Sequence, residues 1–490
     1  MIYMTKKTEK LKAKNTAKKK KPAEKITYNE LGMKFNDDGK LKEINFNIFV
    51  KYFLSKYKFV IDKNKNYYLY MKKHFWGKAD ISQVCKLARK MLHDVQDDTW
   101  LASFKYELKE ILELEANRID GAEDDENYIN LENGLFNLET LELESHTHEV
   151  FSTCQLPFSY DKQAECPNFM DFMDKITVGD NELKSVIQEI MGYVLTHRVD
   201  AQKFFIFWSA GSSGKSTLCD VLVWLAGEEN VSSVSLGALN DKFARSQIEG
   251  KILNLATENE AKKVKTALLK QIVGGDIIQI ERKGKDPRSY RPHVKCVFAV
   301  NNLPKFYENS YGMLRRMLIV SFPALFTDNP NPNNPNEFQR IPNFQEKLKA
   351  ELAGIFNFAM DGYKRLRDNN FVFTNSKCSD DIMKSYTQQC SPVQEFTQEC
   401  LTKAEGKKMF KKDLYVKFRE WCKDNDLDNP FDNIRGFLAE IQKQFSHFNL
   451  PYDDTNSNGK PYKSNGQAYI RGVAFTEEYD NGEGLLNDDD

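Results

Sequence analysis

Across 490 residues, 70 lysines and arginines meet 71 aspartates and glutamates, for a net charge of −1. A chain of that length has room for about three domains. Nine scattered cysteines without a Cys-x-x-Cys pair exclude a disulfide framework and a zinc site, and point to a reducing cytosol.

No run of about 18 apolar residues and no apolar leader is present, which excludes a membrane span and a secretory signal. Charge is unevenly spread. Residues 1–25 hold ten lysines and two glutamates, whereas residues 481–490 form an acidic tail ending Asp488-Asp489-Asp490. The Lys-rich start predicts a disordered tail that either solubilises the chain or holds a polyanion loosely.

Residues 26–165 read as a mixed α/β domain. Phe46, Phe49, Val50, Phe53, Leu54 and Tyr57 recur at helical spacing, and Tyr67–Met71 reads as a strand. Tyrosines beside Lys58, Lys72 and Lys73 make either a stacking surface for single strands or a half-buried strand with solvated lysines. Alternating residues around Asn133-Gly134 predict a hairpin, and His146-x-His148 reads as a strand's solvent face. Within a helical linker over 166–199, the stripe Leu183, Ile187, Ile190, Met191 and Val194 predicts an amphipathic helix.

Four apolar strands follow in the region 200–390, at Phe204–Trp208, Ile252–Ala256, Cys296–Val300 and Met317–Phe322. Their alternation with helical or basic crossovers predicts an α/β fold with a mainly parallel, doubly wound sheet. The Asn- and Pro-rich stretch 327–343 reads as a loop, and Leu348–Tyr363 as a long helix. Over 391–480, three helical patterns followed by a Gly/Asn/Lys-rich hairpin predict a winged helix-turn-helix.

After the first of these strands comes Ser209-Ala210-Gly211-Ser212-Ser213-Gly214-Lys215-Ser216-Thr217. Strand, small-residue turn and helix together are the phosphate cradle of a P-loop. Gly211, Ser212, Ser213, Gly214 and Thr217 offer backbone N–H groups, Lys215 reaches the β/γ oxygens, and Ser216 ligates Mg²⁺. Ser209 departs from the pattern, which has glycine there. The second strand runs into Glu258 and Glu260, 43 residues past Lys215, where acids can hold a metal through water. Asn301 ends the third strand another 43 residues on, and Arg315-Arg316 enters the fourth. Between acids and amide, Gly274–Arg288 predicts a hairpin with Lys283 and Lys285 at its tip, suited to tracking phosphates.

This ordered series resembles the superfamily 3 helicases, a compact AAA+ class. It is more narrowly similar to the poxvirus D5-type, phage primase-helicase family, through Ile129–Gly134, Leu156–Asp161, Cys166-Pro167, Met191–Thr196 and Glu351–Ile355. The resemblance implies an ATP- and Mg²⁺-dependent hexameric DNA helicase that pulls one strand 3′→5′ through its ring. It makes Lys215 and Ser216 the phosphate and metal ligands, and Glu258 and Glu260 the metal-binding and water-activating acids. Asn301 is then the sensor, Arg315 or Arg316 a finger in trans, and Lys283/Lys285 the DNA grip.

About 40 residues precede the matching region, too few for a polymerase-like fold, so no primase activity is expected and a separate primase is implied. Helicases of that kind resemble the replication initiators of staphylococcal pathogenicity islands and related mobile elements, in a bacterial host cytosol. The C-terminal domain, with Arg435, Lys443, Lys460, Lys463 and Arg471, then reads the origin duplex, while the core acts on single-stranded and forked DNA. Two alternatives stay open: an ATP-gated DNA-binding regulator that unwinds nothing, and a P-loop motor acting on RNA or packaging DNA.

Overall fold

The computed structural model describes residues 27–121, 123–257, 266–284, 286–304, 306, 311–389, 392–425, 429–476 and 479. The chain divides into two compact units, one ending at residue 122 and lacking 71–76, the other taking 71–76 and everything from 123 onward.

In the first unit, a hairpin of β1 (Met33–Phe35) and β2 (Leu41–Ile44) leads into α1 (Phe46–Lys56). Strands β3 (Phe59–Asp62), β4 (Tyr67–Tyr70) and β5 (Trp76–Ala79) follow, then α2 (Ile81–His93), α3 (Phe104–Glu115) and β6 (Asn117–Ile119). The four strands β3 to β6 form one sheet in the order β5-β4-β3-β6. The α1 stripe Phe46, Phe49, Val50 and Phe53 is buried, as its spacing demands. Tyr67 and Tyr68 are each only 8 % exposed. The tyrosine strand is therefore core, and the stacking-surface alternative fails there.

The second unit opens with a meander of β7 (Tyr128–Leu131), β8 (Gly134–Asn137) and β9 (Glu142–Glu144). Leu131 pairs with Gly134, so the two-residue turn is Glu132-Asn133 rather than Asn133-Gly134. Gly134 does not have a positive φ; a Cβ there would collide with the Glu144 carbonyl on β9. Close strand approach, not turn geometry, requires the glycine. His146 does not face solvent: its Nε2 meets the Leu131 carbonyl at 2.9 Å, and its ring stacks on His74.

Helices α4 (Pro167–Ile176) and α5 (Asn181–Val194) precede the central sheet. That sheet contains β10 (Phe204–Trp208), β11 (Val231–Ser232), β12 (Leu253–Ala256), β15 (Lys295–Val300) and β16 (Met317–Ser321), all parallel, in the order β11-β12-β15-β10-β16. Phe205 and Phe207 feed one apolar layer and Phe204 and Ile206 the other. Burial on both faces explains the uninterrupted apolar run in β10. The two-residue β11 has no sequence signal of its own. Buried Asn254 holds that edge, accepting from Ser232 Oγ and Val234 N and donating to the Val234 carbonyl.

Around the sheet lie α6 (Lys215–Ala226), α7 (Ala267–Gly274), the antiparallel hairpin β13 (Ile278–Ile280) and β14 (Arg288–Tyr290), and α8 (Tyr311–Leu314). The stretch read as a loop holds a small parallel pair, β17 (Leu325–Thr327) and β18 (Glu337–Gln339). Helices α9 (Phe344–Lys349), α10 (Leu352–Asp368) and α11 (Lys377–Gln389) follow. Gly192 and Gly362 let α5 and α10 touch, since a Cβ at either would strike the other helix's backbone carbonyls.

The last region runs α12 (Pro392–Cys400), β19 (Leu401–Phe410), α13 (Lys411–Asp424), α14 (Ile434–His447), β20 (Lys463–Ser464) and β21 (Gln467–Phe475). Its sheet order is β19-β21-β20. Asn465 and Gly466, both at positive φ, make the tight β20–β21 turn. Phe396, Leu414, Phe418, Phe437, Ile441, Ile470 and Val473 form the core between the helices and one face of that sheet.

Candidate nucleotide site

β10 lies between β15 and the edge strand β16, so its carboxyl end opens between two parallel neighbours, at the edge of the sheet where ligands of such sheets bind. Three residues of the turn leave ordinary backbone space: Gly211 (φ 130°), Ser212 (φ 49°) and Gly214 (φ 82°). Gly214 caps α6 and no side chain bonds the helix start, so its first N–H groups face the turn. The Ser212 carbonyl accepts from Phe326 N at 2.7 Å, which pins the loop to the segment after β16.

Lys215 is buried and bent across the loop onto the adjacent strand end. Its Nζ donates to the Val300 carbonyl at 2.5 Å and to Asn301 Oδ1 at 2.7 Å. Burial depresses its pKa below the ordinary lysine range. Ser213 is buried, Thr217 half-buried and Ser216 exposed in the first turn of α6. The Ser209 and Ser213 hydroxyls are buried and have no hydrogen-bond partner among the described residues. Orphaned donors, a helix N-terminus and a buried cation in one cradle suit a phosphate group, and Ser216, exposed on the first turn of α6, offers a hydroxyl of the kind that can hold a divalent cation.

A cavity of about 470 Å³ continues from the loop. Its far wall comes from α4 (Phe172, Lys175) and from the 326–345 segment (Phe326, Arg340, Asn343, Phe344). A Cβ on Gly214 would meet Phe172 and Phe326, so these rings close directly on the loop. Sequence reasoning missed this wall, because the residues lie tens of positions before and more than a hundred after the P-loop and carry no shared pattern.

Glu258, Glu260 and Lys285 lie outside the described residues. Arg315 and Arg316 precede β16, whose register with β10 runs from Phe204 opposite Met317 to Trp208 opposite Ser321. Both arginines therefore sit at the far end of the sheet, roughly 15 Å from the P-loop. Arg315 is exposed and its Nη1 donates to Gln202 Oε1 at 3.0 Å, while Arg316 Nη1 donates to the Gly312 carbonyl at 2.6 Å.

Lys283 is exposed at the tip of the β13–β14 hairpin, whose Arg282 and Arg288 are both tied to Glu249. Arg435 is exposed in the first turn of α14, and Lys443 pairs with Glu440 at 2.9 Å. Lys460, Lys463 and Arg471 are exposed along the C-terminal hairpin. The structure thus brings Lys215 and Asn301 together with residues 211–217, and places the arginines at the opposite end of the sheet.

Residues 47–178 match the family model described as D5 N terminal like, and residues 207–316 match a family of unknown function, DUF5906. A curated protein of Acanthamoeba polyphaga mimivirus named "Putative helicase L207/L206" is 23% identical over 355 residues, which is 67% of this chain. The chain spans 36% of that relative's length. Among solved structures, the apo C-terminal region of NrS-1 aligns with a TM-score of 0.49 at 12% identity, covering 88% of this chain and 100% of that one. Among the described residues, no helix is long and apolar enough to cross a membrane. Over residues 47–178 the chain is thus similar to the D5 N-terminal-like family, and at low identity it resembles a viral protein named a putative helicase.

Proposed function

We propose that this protein is an ATP- and Mg²⁺-dependent DNA helicase of the AAA+ kind, working as a hexameric ring. The observation that carries the reading is the phosphate cradle itself, with Lys215 held against Asn301 on the neighbouring strand. Bound nucleotide supplies the phosphoanhydride and Mg²⁺ the electrophilic charge. Lys215 turns from Val300 and Asn301 to the phosphates, and Asn301 is freed to orient the γ-phosphate or the attacking water. Glu258 and Glu260 are assigned to the metal and the water. Arg315, exposed and far from its own P-loop, is assigned to a neighbour's nucleotide.

The motor core is assigned to residues 200–390, with β10 between the strand that ends in Asn301 and the strand led by the arginines. The β13–β14 hairpin, braced through Glu249 and tipped by Lys283, is assigned to grip single-stranded DNA, with 3′→5′ travel expected from the family resemblance. The α-β-α-α-β-β order of residues 392–475 supports a winged helix. There α14 would present Arg435 and Lys443 to an origin duplex, and Lys460, Lys463 and Arg471 would flank it. A replication initiator of a phage or mobile element, acting on forked DNA beside a separate primase, is the role that fits.

The test is unwinding of a forked duplex by the full chain with ATP and Mg²⁺, against K283A/K285A. Loss of unwinding with nucleotide binding intact is expected. Unwinding at the unaltered rate would remove the translocation model. ATP binding without any unwinding would favour the ATP-gated regulator, and stimulation by RNA over DNA the motor acting on RNA.

A further inference from the structure

The C-terminal sheet has two faces, and only one is used by its core. Met409 pairs with Ile470, and both are buried under the helices at 3 % and 0 % exposure. Because side chains alternate along a strand, the neighbouring pairs Lys408–Arg471 and Phe410–Tyr469 stand on the opposite face. Tyr462, the residue just before the third strand, joins them, since Tyr469 N donates to its carbonyl at 3.2 Å. One row across the sheet is therefore aromatic, and the next, on β19 and β21, is cationic.

The rings are ordered rather than scattered. Tyr462 and Tyr469 stack with centroids 5.5 Å apart and planes 18° from parallel. The Arg471 guanidinium lies 5.4 Å from the Tyr462 centroid, and Lys408 Nζ lies 5.8 Å from that of Tyr469. Phe410 meets Tyr469 edge-on at 6.2 Å. All three rings are half-buried, not sealed in a core. Lys403 and Lys463 are exposed on the same strands and Lys460 in the segment leading into β20, against Glu405, Asp453 and an Asp454 already paired to Lys411.

We propose that this outer sheet face binds a single-stranded polynucleotide. Unpaired bases stack on Tyr462 and Tyr469, and Lys408 and Arg471 swing from the rings to the backbone phosphates. Aromatic rings under mobile cations are the arrangement by which single strands are held without sequence preference, because every base has a π-face. A base-paired duplex hides those faces, so charge alone would attract it and the tyrosines would be wasted. The helices occupy the other face of the sheet, so α14 can contact a duplex while the outer face holds a separated strand. The site stands apart from the nucleotide cradle and needs no ATP.

The experiment is anisotropy of labelled oligo-dT and oligo-U with the full chain, without nucleotide. Y462A/Y469A is expected to weaken binding at least about tenfold, while Y462F/Y469F, which keeps both rings, stays within about twofold. K408A/R471A is expected to weaken binding and flatten its salt dependence, which the tyrosine variants leave unchanged. Photocrosslinking of 5-iodouracil-labelled oligo-dT to the unaltered chain is expected to mark Tyr462 or Tyr469.

Crosslinks confined to residues 278–290, or unchanged affinity of Y462A/Y469A, would overturn the proposal. So would a duplex that competes as well as the single strand, or an oligomer that changes in Y462A/Y469A with no crosslink formed on these rings, which would make the face a protein contact. The preference between dT and U identifies DNA or RNA as the source. Failure of the ATPase reading would leave each of these outcomes readable.

Discussion

Lys215 Nζ and Asn301 Oδ1 are 2.7 Å apart, although 86 residues separate them in the chain. The pairing follows from β15 lying directly beside β10, with Trp208 level with Val300. The lysine's charge is met by the Asn301 amide and the Val300 carbonyl. Lys215→Ala is expected to abolish turnover and weaken nucleotide binding. Asn301→Ala is expected to lower kcat by about 10- to 100-fold with nucleotide affinity retained. Steady-state ATPase assays with nucleotide-binding titrations separate the two, and turnover in Lys215→Ala would remove this loop from the reaction.

Arg315 and Arg316 differ in surroundings although adjacent. Arg315 is exposed, and Arg316 reaches back to the Gly312 carbonyl of the short helix before it. Arg315→Ala is expected to reduce ATPase by about 10³-fold or more while leaving stability unchanged. Arg316→Ala is expected to lower the melting temperature instead. Mixing Arg315→Ala with Lys215→Ala should restore part of the turnover, since each supplies what its neighbour lacks. No rescue at any mixing ratio would argue against a site shared between subunits.

Ser209 stands where the P-loop pattern has glycine, and its buried hydroxyl has no partner among the described residues. An unpaired buried hydroxyl costs about 1 kcal/mol or more. Ser209→Ala is therefore expected to stabilise the nucleotide-free chain by about 1 kcal/mol and to shrink the stabilisation that ATP confers. Thermal melts with and without ATP measure both, and an undiminished ATP shift would show that the hydroxyl does not meet the nucleotide.

Glu189 is 1 % exposed on α5 and accepts from Arg365 Nε at 2.6 Å, Thr374 N at 2.8 Å and Thr374 Oγ1 at 2.5 Å. It binds α10 and the following segment to α5, behind the sheet. Glu189→Ala takes the acceptor from Arg365 Nε, which keeps its bonds to the Ser185 carbonyl and Gln188 Oε1, and leaves both Thr374 donors unpaired, so it is expected to cost about 2 kcal/mol. Urea unfolding measures it, and a loss below about 1 kcal/mol would mean water replaces the carboxylate without penalty.

Much of the core was legible because its strands are buried on both faces. Apolar runs at 204–208, 253–256, 295–300 and 317–321 need no periodicity to be seen, and helices between them force parallel pairing. The two-residue β11 was invisible, since its place rests on the side chain of Asn254 rather than on its own residues. The bulged β19 was likewise hidden, because Lys403 and Lys408 both pair with β21 while four residues loop out between them opposite Gly472. Such a strand keeps no alternation to read.

The chain's own order of residues was enough to locate the strand, turn and helix of 204–226, the parallel sheet and the strand end before Asn301, because backbone sterics and strand burial act over short stretches. It could not say that Lys215 leans on Asn301, or that Phe172 and Phe326 close on Gly214. Nor could it distinguish the tyrosines of β4, which are core, from Tyr462 and Tyr469, which share an outer sheet face with two cations. Both sets look alike as tyrosines beside lysines. Only the packing of helices on one side of each sheet settles which rings are sealed from water and which remain in reach of a ligand.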